Sequence, residues 1–370
     1  MNKLTLLFSG KRGGGITDLT NIINGFIGNK HTQTRLSVIT LRRFSHLEEL
    51  CSKNNISYSY TTAECNNIIK EFCVNIIFIL TITKNIFFAK NIIFTMTHPN
   101  LLFLPLYRLI SFFTNCRLYY IRHNPTGFRH VTNSLKNILI VLTDYIASMF
   151  SHRLLFFSRN VLQCFEQSLY KDKLYYIGFG INSFNKIPST PCSPSAQTFI
   201  FFGRCLPYKG LDILIEALNL INDRSLNLIV ASNSIPMEYI NKLSKLKDKH
   251  TIDIFNEWLD DDRLDILFKK SSCAILPYRA ISQSGPVLTS MGYNIPIIAS
   301  NLAGVKEYLT DLEDSLLFIS EDPASLKEKI LLFNDSADIQ NKLRKGIIST
   351  AKKFSWKNVS INIENLTTDD

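Results

Sequence analysis

Much of the usual equipment for metal binding, secretion and membrane crossing is missing from this sequence. Its eight cysteines, at positions 51, 65, 73, 116, 164, 192, 205 and 273, form no Cys-x-x-Cys pair. No histidine cluster accompanies them at zinc-like spacing. Neither a disulfide framework nor a structural zinc site therefore organises the chain, and unpaired, mostly buried thiols in a reducing, cytoplasmic setting are expected. No Asp-x-Asp stands at a strand end, and Asp260–Asp262 reads as a helix start, so no metal is required. The most apolar stretch, residues 74–113, is broken by Lys84, Lys90, His98 and Pro99. Those breaks come before about 18 apolar residues accumulate, which argues against a spanning helix. Residues 1–10 are too short an apolar run for a signal peptide and read as a first strand. No repeat of solenoid length is visible.

What is present suits a large globular chain. At 370 residues, 46% hydrophobic and 19% charged, the sequence can bury two cores of ordinary domain size. Its 26 Phe and 14 Tyr add large buried areas per residue. The net charge of +10 is lopsided: residues 1–196 hold 21 Lys/Arg against 8 Asp/Glu, and residues 197–370 hold 20 against 23. A basic first half suits an anionic partner, such as a membrane surface, a phosphorylated lipid or a nucleic acid. Codon usage favouring Lys, Asn and Ile is the competing source of that excess. The cations are scattered and not interleaved with aromatics, which disfavours nucleic acid.

Short apolar runs alternate with helix-like segments from end to end. Leu4–Phe8, Leu36–Thr40, Ile76–Leu80, Leu118–Arg122, Arg153–Phe157 and Leu174–Ile177 read as the strands of a first sheet. A glycine turn at Gly10–Gly15 opens into a helix over Ile16–Ile27. Within residues 74–113 buried strands are the first expectation. A surface-seated amphipathic segment over Leu101–Phe113 is the second. Residues 186–197, rich in Pro, Ser and Thr, read as a linker. A second series follows with strands at Thr198–Phe202, Leu226–Ala231, Thr251–Phe255, Cys273–Leu276 and Pro296–Ala299. The pattern predicts an α/β chain with parallel sheets covered by helices on both faces. Two such halves would face each other across a cleft, with ligands at the carboxyl ends of the strands.

Two stretches carry the chemistry. In Gly203-Arg204-Cys205-Leu206-Pro207-Tyr208-Lys209-Gly210-Leu211-Asp212, a strand ends in a loop holding two cations five residues apart. Arg supplies a planar fork for phosphate oxygens and Lys a mobile point charge, so together they could hold a diphosphate. Two solvated surface cations would look the same in isolation. In Leu276–Met291 a strand runs through Ser282-Gln283-Ser284-Gly285 into a helix near Pro286. That is a helix N-terminus with amides free to meet an anion, or simply an ordinary capped helix. Gly304-Val305-Lys306-Glu307 repeats the strand-turn-helix arrangement.

Taken in order, Gly-Arg-x4-Lys-Gly-Leu-Asp, Pro-Tyr-Arg-x-Ile-Ser-Gln-Ser-Gly-Pro-Val-Leu and Gly-Tyr-Asn-Ile-Pro-Ile-Ile-Ala-Ser-Asn-Leu-Ala-Gly-Val-Lys-Glu resemble family 4 retaining glycosyltransferases of the GT-B fold. Asp322-Pro323-Ala324-Ser325-Leu326 and Phe354-Ser355-Trp356 extend the resemblance over about residues 198–358. The first half matches more loosely, through Gly13–Gly15, Arg122-His123-Asn124 and Gly180-Ile181-Asn182. The resemblance implies two facing Rossmann-like domains with an interdomain cleft: an acceptor domain at 1–185, a donor domain at 198–355, and a segment at 356–370 crossing back to the first.

By the same resemblance Arg204 and Lys209 bind the donor diphosphate and assist its departure. Ser284, Gly285 and Glu307 also belong to the donor site, faced by Gly14 and Gly15 from the first domain. His123 falls where the family often places a histidine beside the reacting sugar, although a lone histidine after a strand also serves structural ends. The implied co-substrate is a nucleoside-diphosphate sugar, with no cofactor or metal. The implied acceptor is a glycan, polyprenyl-diphosphate-linked, at an anionic membrane face in surface polysaccharide assembly of the O-antigen or capsule type. One departure stands out: ungapped alignment puts Ile281 and Thr289 where the family carries two glutamates. A non-catalytic partner subunit with the same fold is the alternative that this loss raises.

Overall fold

A computed structural model describes residues 2–10, 14–62, 68–123, 135–181, 197–281 and 285–369. It divides into two compact units, residues 1–180 with 356–370, and residues 181–355.

Unit 1 is a seven-stranded sheet in the order β3-β2-β1-β4-β5-β6-β7. Its strands are β1 (Asn2–Phe8), β2 (Thr34–Arg42), β3 (Ser57–Thr62), β4 (Asn91–Phe94), β5 (Arg117–Ile121), β6 (Arg153–Phe156) and β7 (Leu174–Tyr176). Every pairing is parallel. Its helices are α1 (Gly14–Gly28), α2 (Ser45–Lys53), α3 (Ile68–Phe88), α4 (Leu104–Thr114), α5 (Leu135–Phe150) and the short α6 (Arg159–Gln163).

The period-2 geometry of a strand sends alternate side chains to opposite faces. Leu4, Leu6 and Phe8 accordingly join the core under α1 and α2, with Ile93, Tyr119 and Ile121. Leu7, Ile92, Phe94, Leu118 and Tyr120 join a second core under α3, α4 and α5. A sheet buried on both faces explains why these strands read as unbroken apolar runs.

Two parts of the first sheet differ from the expectation. Ile76–Leu80 is not a strand but lies inside α3, and of residues 74–113 only Asn91–Phe94 forms a strand. The physical reason is visible in the burial: Phe78, Ile82 and Ile86 are buried at helical spacing while Ile76, Ile77 and Leu80 are exposed. Thr81, Thr83 and Asn85 donate to the carbonyls four residues back, so their polar groups are satisfied within the helix. The third strand in sequence is Ser57–Thr62 instead. It is a polar, half-exposed edge strand with no apolar run to announce it.

Unit 2 is a six-stranded parallel sheet in the order β10-β9-β8-β11-β12-β13. The strands are β8 (Thr198–Phe202), β9 (Asn227–Ala231), β10 (Thr251–Phe255), β11 (Cys273–Leu276), β12 (Ile297–Ser300) and β13 (Ser315–Phe318). Five of the six match the runs read from sequence, and the short β13 was not among them. The helices are α7 (Leu211–Asn219), α8 (Met237–Leu246), α9 (Asp261–Lys269), α10 (Gly285–Gly292), α11 (Ala303–Lys306), α12 (Pro323–Asp335) and α13 (Ala337–Ala351). Asp260 caps α9 by accepting from the Arg263 amide, and Asp322 caps α12 by accepting from Ala324 and Ser325. The last helix, α14 (Trp356–Asp369), packs against α1 in unit 1.

Of the six cysteines described, Cys51, Cys116 and Cys273 are buried, Cys205 is half-buried, and Cys73 and Cys164 are exposed. Half, not most, of these thiols are therefore enclosed. The linker at 186–197 lies outside the described residues except for Gln197.

Candidate active site

In an open parallel sheet, ligands collect where strand order reverses, at the carboxyl ends of the two strands that flank the reversal. In unit 2 that point lies between β8 and β11. The segments leaving those two ends are residues 203–210 and 277–285, the stretches singled out from sequence.

The first segment is held by its backbone and by two glycines. Gly203 donates to the Ala231 carbonyl at 3.0 Å and Cys205 to Asn233 at 3.1 Å, which turns the chain across the end of β9. Gly203 has φ +96°, and an added Cβ would lie 2.8 Å from the Lys209 Nζ. Glycine is thus favoured there by its conformation, and a side chain would displace the Lys209 ammonium. Pro207–Lys209 makes a single tight turn, and Gly210, at φ +68°, opens α7. A Cβ at Gly210 would meet the Pro277 carbonyl oxygen at 1.9 Å, so the two segments lie in direct contact.

Arg279 locks that contact. Its guanidinium forks onto Asp212 at 2.9 and 2.6 Å and donates to the Pro207 carbonyl at 2.9 Å. Its amide donates to the Tyr208 carbonyl at 2.7 Å, and Nε reaches Glu321 at 3.3 Å. The Arg279 hydrogen bonds hold the Asp212 carboxyl below the usual carboxylate range. Asp212 and Arg279 are the last charged residues of the two motifs, and they bind each other.

Lys209 is 7% exposed. Its Nζ lies 5.4 Å from the centre of the Tyr278 ring and makes no ion pair among the described residues. Burial lowers its pKa to about 8, with nearby Cys205 pulling slightly the other way. The Tyr278 hydroxyl is buried without a hydrogen-bond partner among the described residues. Arg204 is exposed, and its charge is felt at Tyr208. A buried ammonium over the Tyr278 ring, without an acidic partner among the described residues, can hold an anion, and the exposed Arg204 guanidinium leaves the same loop.

Ser284 lies outside the described residues, whereas Gly285 begins α10. Gly285 is exposed, and among the described residues nothing lies within 4 Å of the place where its Cβ would be, while Val287 and Leu288 of the same turn are buried. Ile281 is buried and Thr289 half-buried on α10. Glu307 is half-buried at the end of α11, where its amide donates to Ala303.

In unit 1 the strand order reverses between β1 and β4. Gly14 and Gly15 begin α1 just beyond β1, and a Cβ at Gly15 would approach Phe8 at 3.1 Å. His123 follows β5. Its Nε2 lies 2.8 Å from the Thr95 carbonyl, and its ring packs 5.5 Å from that of Phe157. A carbonyl only accepts, which fixes a hydrogen on Nε2 and leaves Nδ1 for chemistry. Nδ1 faces the Asp18 carboxylate at 3.7 Å. Burial raises the Asp18 pKa to about 6, against the pull of His123. The sequence reading did not identify Asp18, and its one signal was an acid four residues into a helix that opens on a glycine turn.

Residues 196–334 match the family model described as glycosyl transferases group 1. Unit 2 carries a glycosyl transferases group 1 domain. An uncharacterized glycosyltransferase of Methanocaldococcus jannaschii is 27% identical over 170 residues. That match spans 43% of this chain and 44% of the relative, less than half the length of either. The whole chain is similar to a solved glycosyltransferase from Rickettsia africae ESF-5, with TM-score 0.71, 16% identity and coverage of 100% of this chain and 98% of that one. It is also similar to Anabaena HepE in complex with UDP, with TM-score 0.70, 17% identity and coverage of 100% of both chains. A third likeness is to the lipopolysaccharide outer core galactosyltransferase WaaB, with TM-score 0.67, 12% identity and coverage of 99% of both. These likenesses assign the fold, two Rossmann-like domains of the GT-B type. In the group 1 domain both cation-bearing motifs leave the reversal point of the sheet, and Arg279 and Asp212 join them.

Proposed function

We propose that this chain is a retaining glycosyltransferase of family 4. It moves a sugar from a nucleoside-diphosphate donor to a glycan acceptor carried on a polyprenyl diphosphate, in surface polysaccharide assembly of the O-antigen or capsule type. The observation that carries the reading is Lys209: a buried ammonium without an acidic partner among the described residues, at the sheet's reversal point, within a group 1 domain. Such a cation is destabilising until an anion arrives, and a diphosphate supplies that anion.

In this reading Lys209 and Arg204 bind the diphosphate oxygens and stabilise the charge that grows on them as the glycosidic bond breaks. The exposed start of α10 at Gly285, with Ser284 before it, adds backbone amide donors. Glu307, Gly14 and Gly15 are assigned to donor binding in the same proposal. The Thr95 carbonyl fixes the His123 ring through Nε2, and Nδ1, which the Asp18 carboxylate faces at 3.7 Å, is the nitrogen assigned to the sugar. No step is assigned to a metal. The solved complex of Anabaena HepE with UDP makes uridine donors the first to test.

The assay is nucleotide release from a panel of sugar nucleotides, with and without lipid-linked acceptor. Turnover with one donor, abolished in Lys209→Met, supports the proposal. A folded protein that turns over none of them sinks it. Ile281 and Thr289, standing where the resemblance expects carboxylates, favour a second reading as a non-catalytic partner subunit. Under that reading Arg204→Ala leaves glycan assembly in cells unchanged, whereas the enzymatic reading requires a severe loss.

A further inference from the structure

Helices of a globular domain ordinarily show polar residues to water, and isolated exposed apolar side chains carry no message. Unit 1 departs from this along three neighbouring helices. Helices α3, α4 and α5 lie side by side on one face of its sheet, α4 touching both of the others. Phe72, Leu80 and Phe88 on α3 are 61% exposed or more, as are Phe112 and Phe113 on α4 and Ile138 on α5. Phe112 and Phe113 alone show 79% and 77% of their surface. For side chains of that size the pair amounts to roughly 300 Å². With the other exposed apolar side chains of the three helices, the total exceeds the few hundred Å² usual for an apolar patch on a monomer.

Among the described side chains, the exposed charges on these three helices have one sign. Among the described side chains of α3, α4 and α5 the only acid is Asp144, which is buried and accepts from Thr97 and Tyr120 at 2.6 Å. Lys84 and Lys90 are exposed at the same end of α3 as Phe87 and Phe88. Beside α4 a groove of about 920 Å³ is lined by Lys90, Arg108, Arg117 and His152, with Leu109 and Phe112 on its wall and no carboxylate in its lining. Arg108 is lowered by burial and by Arg117, and Lys173 by burial and by Arg108, so these cations repel one another.

We propose that the face formed by α3, α4 and α5 docks on the surface of an anionic phospholipid bilayer, with Phe112 and Phe113 entering the headgroup–acyl boundary and the Lys90–Arg108–Arg117 groove receiving lipid phosphate. Charge decides between occupants. A second copy of this chain would set one cationic rim against another, and a neutral protein partner would bring no counter-charge to Lys90 and Arg108. An anionic lipid surface satisfies both the apolar face and its rim. No helix among the described residues is long and apolar enough to cross a membrane, so the mode is lying on the surface. The inference stands on unit 1 alone and holds whatever the donor of unit 2.

Flotation of the full chain tests it, using vesicles of phosphatidylcholine and of a phosphatidylcholine–phosphatidylglycerol mixture. Binding to the mixed vesicles and not to phosphatidylcholine, weakening with added salt, is the expected result. Phe112→Glu with Phe113→Glu should cut partitioning at least about tenfold. Lys84→Glu with Lys90→Glu should cut it about tenfold. Both pairs are exposed, and overlaid melting curves check that folding is intact. Phe88→Glu on α3 reports on the same face should the α4 pair unfold. A folded chain that floats with neither vesicle overturns the proposal. So does a phenylalanine variant that floats like its parent, or one that only converts a dimer to a monomer.

Discussion

Lys209, which is buried, and Asp18, which is half-buried, are ionisable groups whose charged forms the fold disfavours, and each predicts an opposition between stability and function. Lys209 has its pKa lowered to about 8 in the folded chain, against 10.5 for the free side chain. The folded state therefore binds fewer protons than the unfolded one between those values, and this residue's contribution to stability rises with pH across that window. At neutral pH holding the charge costs on the order of 3 kcal/mol. Lys209→Met should raise the melting temperature of ligand-free protein by several degrees while nucleoside-diphosphate affinity falls about a hundredfold or more. In the parent, binding re-protonates the amine, so affinity measured by calorimetry should weaken as pH rises above 8. A flat profile from pH 7 to about 9 would remove Lys209 from the diphosphate site.

Asp18 obeys the same logic with the other sign of charge. Its pKa is raised from 3.8 to about 6, so the folded chain binds more protons than the unfolded one between those values. Stability from this group is present in acid and is lost as pH rises through 6. Asp18→Asn should recover on the order of 2–3 kcal/mol at pH 7 and nothing at about pH 4. Glycosyl transfer should drop, because His123 loses the carboxylate facing Nδ1. Melting curves at the two pH values, beside a turnover assay, separate these effects. Arg204 and Lys209 were legible from sequence because a cation pair at fixed spacing after a strand is a local signal. Asp18 was not, because its partner lies over a hundred residues away and only the sheet brings them together.

At the scale of elements, the Asp212–Arg279 pair joins the turn after β8 to the segment after β11. Both groups are about a third exposed, which tempers their energy. A double-mutant cycle with Asp212→Asn and Arg279→Met should return a coupling of about 1–2 kcal/mol. Arg279→Lys should not restore it, since an ammonium cannot make the two-toothed contact. Because Arg279 acts by holding the Pro207–Lys209 turn, its loss should raise the KM for donor more than it lowers kcat. Gly210→Ala should cost more stability than either, since its methyl would be driven into the Pro277 carbonyl. Most strands were readable because a doubly buried strand is an unbroken apolar run between turns. The same rule misread Ile76–Leu80, where a helix exposing apolar side chains has no polar face to reveal its period. It also passed over Ser57–Thr62, an edge strand with little to bury.

For the whole molecule, the end of the chain completes the domain that the beginning starts. Val359, Ile363 and Leu366 of α14 are buried in the core over β1 with Leu19, Ile22 and Ile23 of α1, and Trp356 packs on Phe157 and Phe179. Polar contacts fix the register. Glu364 accepts from the Thr32 and Thr34 hydroxyls at 2.8 and 2.7 Å and from the Gln33 amide at 2.9 Å. Asn2 donates to Thr367 at 2.8 Å, and Asn91 to the Thr367 carbonyl at 3.1 Å. Burying four such side chains contributes roughly 6–12 kcal/mol, which is as large as the net stability of a typical domain. A chain stopped at Ser355 should therefore keep unit 2 folded and lose unit 1. Calorimetry should then show one transition where the full chain shows two, or one larger one. Adding the peptide 356–370 in excess should restore the missing heat, since α14 packs on α1 and β1 of unit 1. Retention of the full unfolding enthalpy in the shortened chain would mean that α14 only decorates a core already complete without it.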